Sequence, residues 1–173
     1  LKYNSKSSQL GNNEPLQSTQ LYNGNIAEMH WKSGSDNIRR AYGYQYDGLN
    51  RLTAATFKAF NYSNELWDKE VNRYSVNGIS YDLNGNIGTL NRRGLTGTIS
   101  TPAFGVMDDI IYAYSGDQLI NVTDEEIGSH PLDFADGNLH YTTGLDDYTY
   151  DNNGNLTKDR NKGITGITYN HLN

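Results

Sequence analysis

Four histidines, His30, His130, His140 and His171, are the first side chains in this sequence that could do acid–base or metal chemistry. None stands two or four residues from another, the spacings that put two imidazoles on one face of a strand or helix. Each is therefore expected to be a surface or hydrogen-bonded residue, including His140, which sits beside Tyr141 in a predicted strand. Adjacent carboxylates occur at Asp108-Asp109, Glu125-Glu126 and Asp146-Asp147. Glycoside hydrolysis needs two carboxyls facing each other across a sugar, about 5–9 Å apart. Sequence neighbours in a strand point to opposite faces, so these pairs are expected to be solvated turn charges. The segments Asp82-Leu83-Asn84-Gly85-Asn86 and Asp151-Asn152-Asn153-Gly154-Asn155 open like calcium loops. The helix–loop–helix calcium site wants Gly sixth and Glu twelfth. Here Gly comes fourth, and the twelfth residue is Arg93 or Lys162. No glycine-rich phosphate loop follows a strand, and no Gly-x-Ser-x-Gly elbow occurs. Three glycosylation sequons, beginning at Asn61, Asn121 and Asn155, are formal matches only. There is no cysteine, which removes disulfides, thiolate metal sites and thiol nucleophiles. No enzyme, cofactor or metal is expected.

The chemistry-bearing residues are thus better read as builders of structure. The chain has 173 residues and a net charge of −6, which disfavours nucleic acid as a partner. No apolar run approaches the ~18 residues of a membrane span. Aromatic material is abundant and skewed, with 14 Tyr against 4 Phe and 2 Trp. One pattern recurs: an aromatic, then Asp or another small polar residue, a Gly/Asn turn, a polar residue, and Leu or Ile. Full copies are Tyr46-Asp47-Gly48-Leu49-Asn50-Arg51-Leu52, Tyr81-Asp82-Leu83-Asn84-Gly85-Asn86-Ile87 and Tyr150-Asp151-Asn152-Asn153-Gly154-Asn155-Leu156. Shorter copies start at Tyr22, Tyr114 and Phe134, and a last one starts at Tyr169. The lead tyrosines at 46, 81, 114 and 150 are 35, 33 and 36 positions apart.

Each copy has the make-up of a β-hairpin. Tyr42, Tyr44 and Tyr46, then Tyr112 and Tyr114, then Tyr148 and Tyr150, alternate as one face of a strand does. The turns use Asn-Gly, Gly-Asn or Asp-Gly, which tolerate positive φ. The Asp or Asn after Tyr can accept a backbone N–H two residues on. Segments 57–73, 92–109 and 121–133, carrying Trp67, Pro102, Phe104 and Pro131, are expected to be extended loops or irregular strands. Asn64 to Val71 could form one short helix behind an Asn cap.

The Tyr-Asp-x-x-Gly-Asn-Leu pattern, clearest in Tyr81 to Ile87 and Tyr150 to Leu156, resembles the YD repeat of RHS proteins. These are very large bacterial secreted or cell-surface proteins, similar in repeat to insecticidal toxin-complex subunits and animal teneurins. The style of the turns is most similar to RHS proteins of the Bacteroidetes type. The resemblance covers about residues 20 to 173. It implies an all-β fold of consecutive antiparallel hairpins in a curved, spiralling sheet, a segment of an RHS β-shell. By this reading residues 1–20 are a leading strand or loop with a partial repeat. Residues 21–173 are a repeat array with long connections, cut at both ends. The motif residues are Tyr22, Tyr46, Asp47, Arg51, Leu52, Tyr81, Asp82, Gly85, Asn86, Ile87, Tyr114, Phe134, Tyr150, Asp151, Gly154, Asn155, Leu156 and Tyr169. Arg51 keeps the arginine seen before Leu in many family copies, whereas Asn86 and Asn155 replace it. The short copies lack one or two turn residues. The family's Asp-Pro self-cleavage segment has no counterpart, so no protease activity carries over.

The resemblance implies encapsulation and delivery of a C-terminal toxin or effector in bacterial competition. The partners would be the rest of the parent chain, its cargo and secretion machinery, at a secreted or cell-surface location. The alternative is a carbohydrate-binding or adhesion module in which Trp31 and Trp67 stack on sugars.

Overall fold

The computed structural model describes residues 1, 16, 18–128, 130, 132–136 and 146–170. Among them are ten strands and no helix. The strands are β1 Glu28–Lys32, β2 Arg39–Tyr46, β3 Leu52–Asn61, β4 Leu66–Lys69, β5 Val76–Tyr81, β6 Ile87–Leu95, β7 Phe104–Ser115, β8 Gln118–Asp124, β9 Tyr148–Tyr150 and β10 Leu156–Asp159. The first eight form one antiparallel sheet in the order β1-β2-β3-β5-β6-β7-β8, with β4 also paired to β3. Strands β9 and β10 form a separate hairpin, joined to β8 by the Asp147 N–H donating to the Ile120 carbonyl at 2.9 Å. The described residues are therefore all-β, and apart from β4 the strands of the large sheet lie side by side in sequence order.

The meander sorts its connections. The β2–β3, β5–β6, β7–β8 and β9–β10 turns, built from the Tyr-led motifs, fall at one end of the strands. The longer connections fall at the other. Much of segments 57–73 and 92–109, expected to be extended loops or irregular strands, is regular strand. It pairs in register, as at Tyr42↔Phe57, Gly94↔Gly105 and Leu95↔Phe104. Backbone ladders supplied the partners that local sequence does not advertise. The helix expected over Asn64 to Val71 is also replaced, by strand β4. Asn64 Oδ1 accepts the Leu66 N–H at 3.1 Å and Glu65 takes φ 59, so the Asn makes a hairpin turn rather than a helix cap. Pairing with β3 then turns Trp67 inward against Phe60, with ring centroids 5.3 Å apart.

Apolar burial is thin and split. Leu16, Ala41, Phe60 and Trp67 form one buried cluster over β2, β3 and β4. Ile79, Met107, Ile110 and Val122 are buried in the second half. Strand β3 is buried on both faces from Ala55 to Phe60. On the face of β2 and β3 shared by Tyr42 and Phe57, aromatic rings run across the strands. Trp31 stacks on Tyr42 at 5.6 Å, Tyr42 meets Phe57 at 5.3 Å, Phe57 meets Tyr74 at 5.3 Å, and Tyr74 meets Phe104 at 5.4 Å. On the opposite side Leu16 crosses directly over Gly43, where a Cβ would collide with the Leu16 carbonyl and side chain. Gly43→Ala is expected to destabilise the chain by about 1–3 kcal/mol through overpacking. A urea titration reads this as a lower midpoint with an unchanged slope; an unchanged midpoint would mean that Leu16 does not press on β2.

Candidate functional site

The lead tyrosines do more than fill a pleat. The Tyr46 hydroxyl donates to the Ile26 carbonyl at 2.9 Å, Tyr81 to Leu52 at 2.7 Å, Tyr114 to Ile87 at 3.0 Å, Tyr150 to Leu119 at 2.8 Å and Tyr169 to Leu156 at 2.9 Å. In every case the acceptor is the Leu or Ile that closes an earlier motif, the one immediately before except at Tyr150. The placement has a simple cause. Ladders between neighbouring hairpins stop short of the turns: β3 and β5 pair only at Ala55↔Val76, and β6 and β7 pair from Thr89↔Ile111 onward. The carbonyls beyond, at Leu52 and Ile87, receive the phenol where the backbone ladder has ended. A buried or half-buried carbonyl must find a donor, and the side chain is it. Phe134 has no hydroxyl, and the series passes it by, with Tyr150 reaching back to Leu119.

The turns that aim these phenols are built alike. Tyr46↔Leu52, Tyr81↔Ile87 and Tyr150↔Leu156 are direct cross-strand partners, each beside a register shift. Asn50, Gly85 and Gly154 share the positive-φ position, at 65°, 93° and 84°, as a type I turn followed by a bulge requires. Asp47 Oδ1 accepts the N–H groups of Leu49 and Arg51, both at 2.9 Å. Asp151 Oδ1 does the same for Asn153 and Asn155 at 2.9 Å, and Asp82 Oδ1 for Asn86 at 2.8 Å. The second carboxylate oxygen takes Arg51 Nε at 2.7 Å, Asn86 Nδ2 at 2.9 Å or Asn155 Nδ2 at 3.0 Å. Asn therefore serves the turn as Arg does. Arg51 additionally lies 4.4 Å over the Tyr81 ring and donates to the Asp82 carbonyl at 3.3 Å, which ties one turn to the next. Asn84 makes the equivalent link to Asp117 at 3.0 Å.

The short copies differ. Tyr114 leads a two-residue turn between Ser115 and Gln118, with Gly116 at φ 62. Tyr22 is 80% exposed and heads a turn closed by Asn23 Oδ1 on the Asn25 N–H, outside any strand. Gly137, Asn138 and Leu139 of the Phe134 copy lie outside the described residues, as do Pro131, His140, Tyr141 and His171.

The carboxylates expected to be solvated include two that are not. Asp108 is 1% exposed, pairs with Arg92, and its Oδ1 accepts the Phe134 N–H at 2.6 Å. Asp147 is fully buried and accepts the Val122 N–H at 2.9 Å. Each staples a connecting segment to the sheet, a role that adjacency in sequence does not reveal. His30 is held at 2.8 Å from buried Glu28, which Ser18 also reaches at 2.6 Å. No group of His, Asp and Glu suited to a metal ion occurs among the described residues. Of the tryptophans, Trp67 is 4% exposed, packed among Phe60, His30 and Arg39, and has no face for a sugar. Trp31 is half-buried on Tyr42. A groove of about 400 Å³ opens nearby, lined by Tyr42, Tyr74, Val76, Arg93, Leu95 and Met107 among others.

No family model matches the chain, and neither the curated proteins nor the solved structures contain a match to it.

Hydrogen bonds and burial set the pH response. The bonds from Arg51 hold the Asp47 carboxyl below the usual range, and those from Asn86 and Asn155 do the same to Asp82 and Asp151. Burial pushes the phenols of Tyr46, Tyr114 and Tyr150 above theirs. Burial raises Asp124, which opposes the other carboxylates. Lowered carboxyls contribute stability above about pH 4 that is lost as pH falls, and raised phenols contribute stability below about pH 10 that is lost as pH rises. Thermal melts should therefore show a plateau between these limits and a falling midpoint on both sides. Tyr81→Phe, which strips the donor from Leu52, is expected to lower unfolding free energy by about 1 kcal/mol. Tyr22→Phe is expected to change it by less than about 0.5 kcal/mol. Equal effects from the two substitutions would remove the hydroxyl from the account.

Proposed function

We propose that this chain is a wall segment of an RHS-type shell, in which successive hairpins are hung on one another around a C-terminal cargo. The observation that carries the reading is the run of phenol-to-carbonyl bonds from Tyr46 to Tyr169, each reaching back to the Leu or Ile that closes an earlier motif. A single two-stranded hairpin is marginal in water, and stacking supplies what it lacks. The same unit can be added again and again without a new kind of contact, which suits an enclosing wall. The motif's likeness to the YD repeat gives the reading its biology: export to the cell surface or medium, and delivery of a toxin against competing bacteria.

An array of this kind leaves strand edges open, and β1 has no strand on its outer side among the described residues. Sedimentation velocity across a concentration series should show self-association of the isolated chain. A monodisperse monomer that melts in one cooperative step would overturn the wall reading.

A second reading, glycan binding, draws on the half-buried row of Trp31, Tyr42 and Tyr44, with Trp31 and Tyr42 stacked at 5.6 Å and Tyr42 and Tyr44 at 6.0 Å. The adjoining groove has the volume of a small-ligand site. A glycan array without a hit on the folded chain would dispose of it, and a hit abolished by Trp31→Ala would establish it.

A further inference from the structure

Four Asn-Gly dipeptides occur, at Asn23-Gly24, Asn77-Gly78, Asn84-Gly85 and Asn153-Gly154. In this dipeptide the glycine nitrogen can attack the preceding side-chain amide, because no Cβ shields it. The fold treats the copies differently. Gly85 N–H donates to the Asp82 carbonyl at 3.2 Å, and Gly154 N–H to the Asp151 carbonyl at 3.0 Å. Those bonds close the hairpin turns and engage each glycine N–H, which would have to be released before the nitrogen could attack. Asn77-Gly78 lies within strand β5. Asn23-Gly24 belongs to the copy that makes no hairpin. Its turn is closed instead by Asn23's own side chain, whose Oδ1 accepts the Asn25 N–H at 3.1 Å. The ring so closed contains both the Asn23 Cγ and the Gly24 nitrogen, and the bond to Oδ1 draws electron density from Cγ. Gly24 has φ 91, nothing would crowd a Cβ there, and its N–H has no acceptor among the described residues.

We infer that Asn23 is a spontaneous deamidation site, selected by the fold from otherwise equivalent dipeptides. The Gly24 nitrogen gives its proton to water and bonds to Cγ. The Cγ–Nδ2 bond breaks and ammonia leaves. Water then opens the succinimide to aspartate or isoaspartate. The product loses the donor that Asn23 Nδ2 offers to Asn50 Oδ1 at 2.5 Å and sets a carboxylate against that amide oxygen. The link between the first turn and the next is thereby weakened, leaving the longer bond from Asn25 Nδ2 to Asn50 Oδ1 at 3.4 Å. This inference does not depend on the shell reading.

The test is peptide mapping by mass spectrometry after incubating the intact chain at mildly alkaline pH, with a parallel sample in strong urea. In the folded chain Asn23 should convert about tenfold faster than Asn84 or Asn153, which must first give up a backbone hydrogen bond. In urea the three rates should converge. Conversion of Asn84 or Asn153 as fast as Asn23 in the folded chain would overturn the inference, as would a folded-state ranking that persists unchanged in urea. Asn23→Gln should remove the earliest acidic species on ion exchange; its persistence would also count against the assignment.

Discussion

A phenol hydroxyl placed on the last open carbonyl of the neighbouring hairpin is the contact on which the rest of the sheet depends. Backbone pairing is generous inside each hairpin and sparse between some of them: β3 meets β5 at one residue pair, and β9 meets β8 through one backbone bond. Those joints would leave carbonyls stranded beside the turns. The tyrosines at 81 and 150 reach across them, and the aspartates behind the turns keep the reach accurate. An Asp carboxylate that collects backbone N–H groups and a side-chain donor fixes the geometry of the turn.

The balance between polar and apolar contributions follows from composition. With few aliphatic side chains to bury, the sheet recruits buried polar groups and pairs them. Asp108 with Arg92 and the Phe134 amide, Asp147 with the Val122 amide, and Glu28 with Ser18 and His30 all hold passing segments against strands. A buried carboxylate is costly without donors and specific with them.

The hairpins and their turns were legible in the residues. Period-two tyrosines and Asn-Gly signals depend on neighbours close in sequence, and Tyr46↔Leu52, Tyr81↔Ile87 and Tyr150↔Leu156 are the pairs they imply. The bonds between hairpins were not read, although one signal was present: the lead position is Tyr at 22, 46, 81, 114, 150 and 169, and Phe only at 134. Packing alone would tolerate either ring, so a preference for the hydroxyl points to a hydrogen bond. Strand β4 was missed because Trp67 and Asn64 fit a helix locally, and it is pairing with the preceding strand β3, at Asn61↔Leu66 and Ala59↔Lys69, that decides against it. The burial of Asp108 and Asp147 was missed for a related reason. Their donors, at Phe134 and Val122, lie 26 and 25 residues away.

The ladder can be observed one hydroxyl at a time. With tyrosines labelled at Cζ, spectra in mixed light and heavy water separate hydroxyls by exchange: a slow one gives two resolved Cζ signals, a fast one a single averaged line. The account predicts paired signals for Tyr46, Tyr81, Tyr114 and Tyr150, against one line for exposed Tyr22. Averaged lines for all five would mean that these phenols are not bonded to the preceding hairpins, and the joints described above would not exist.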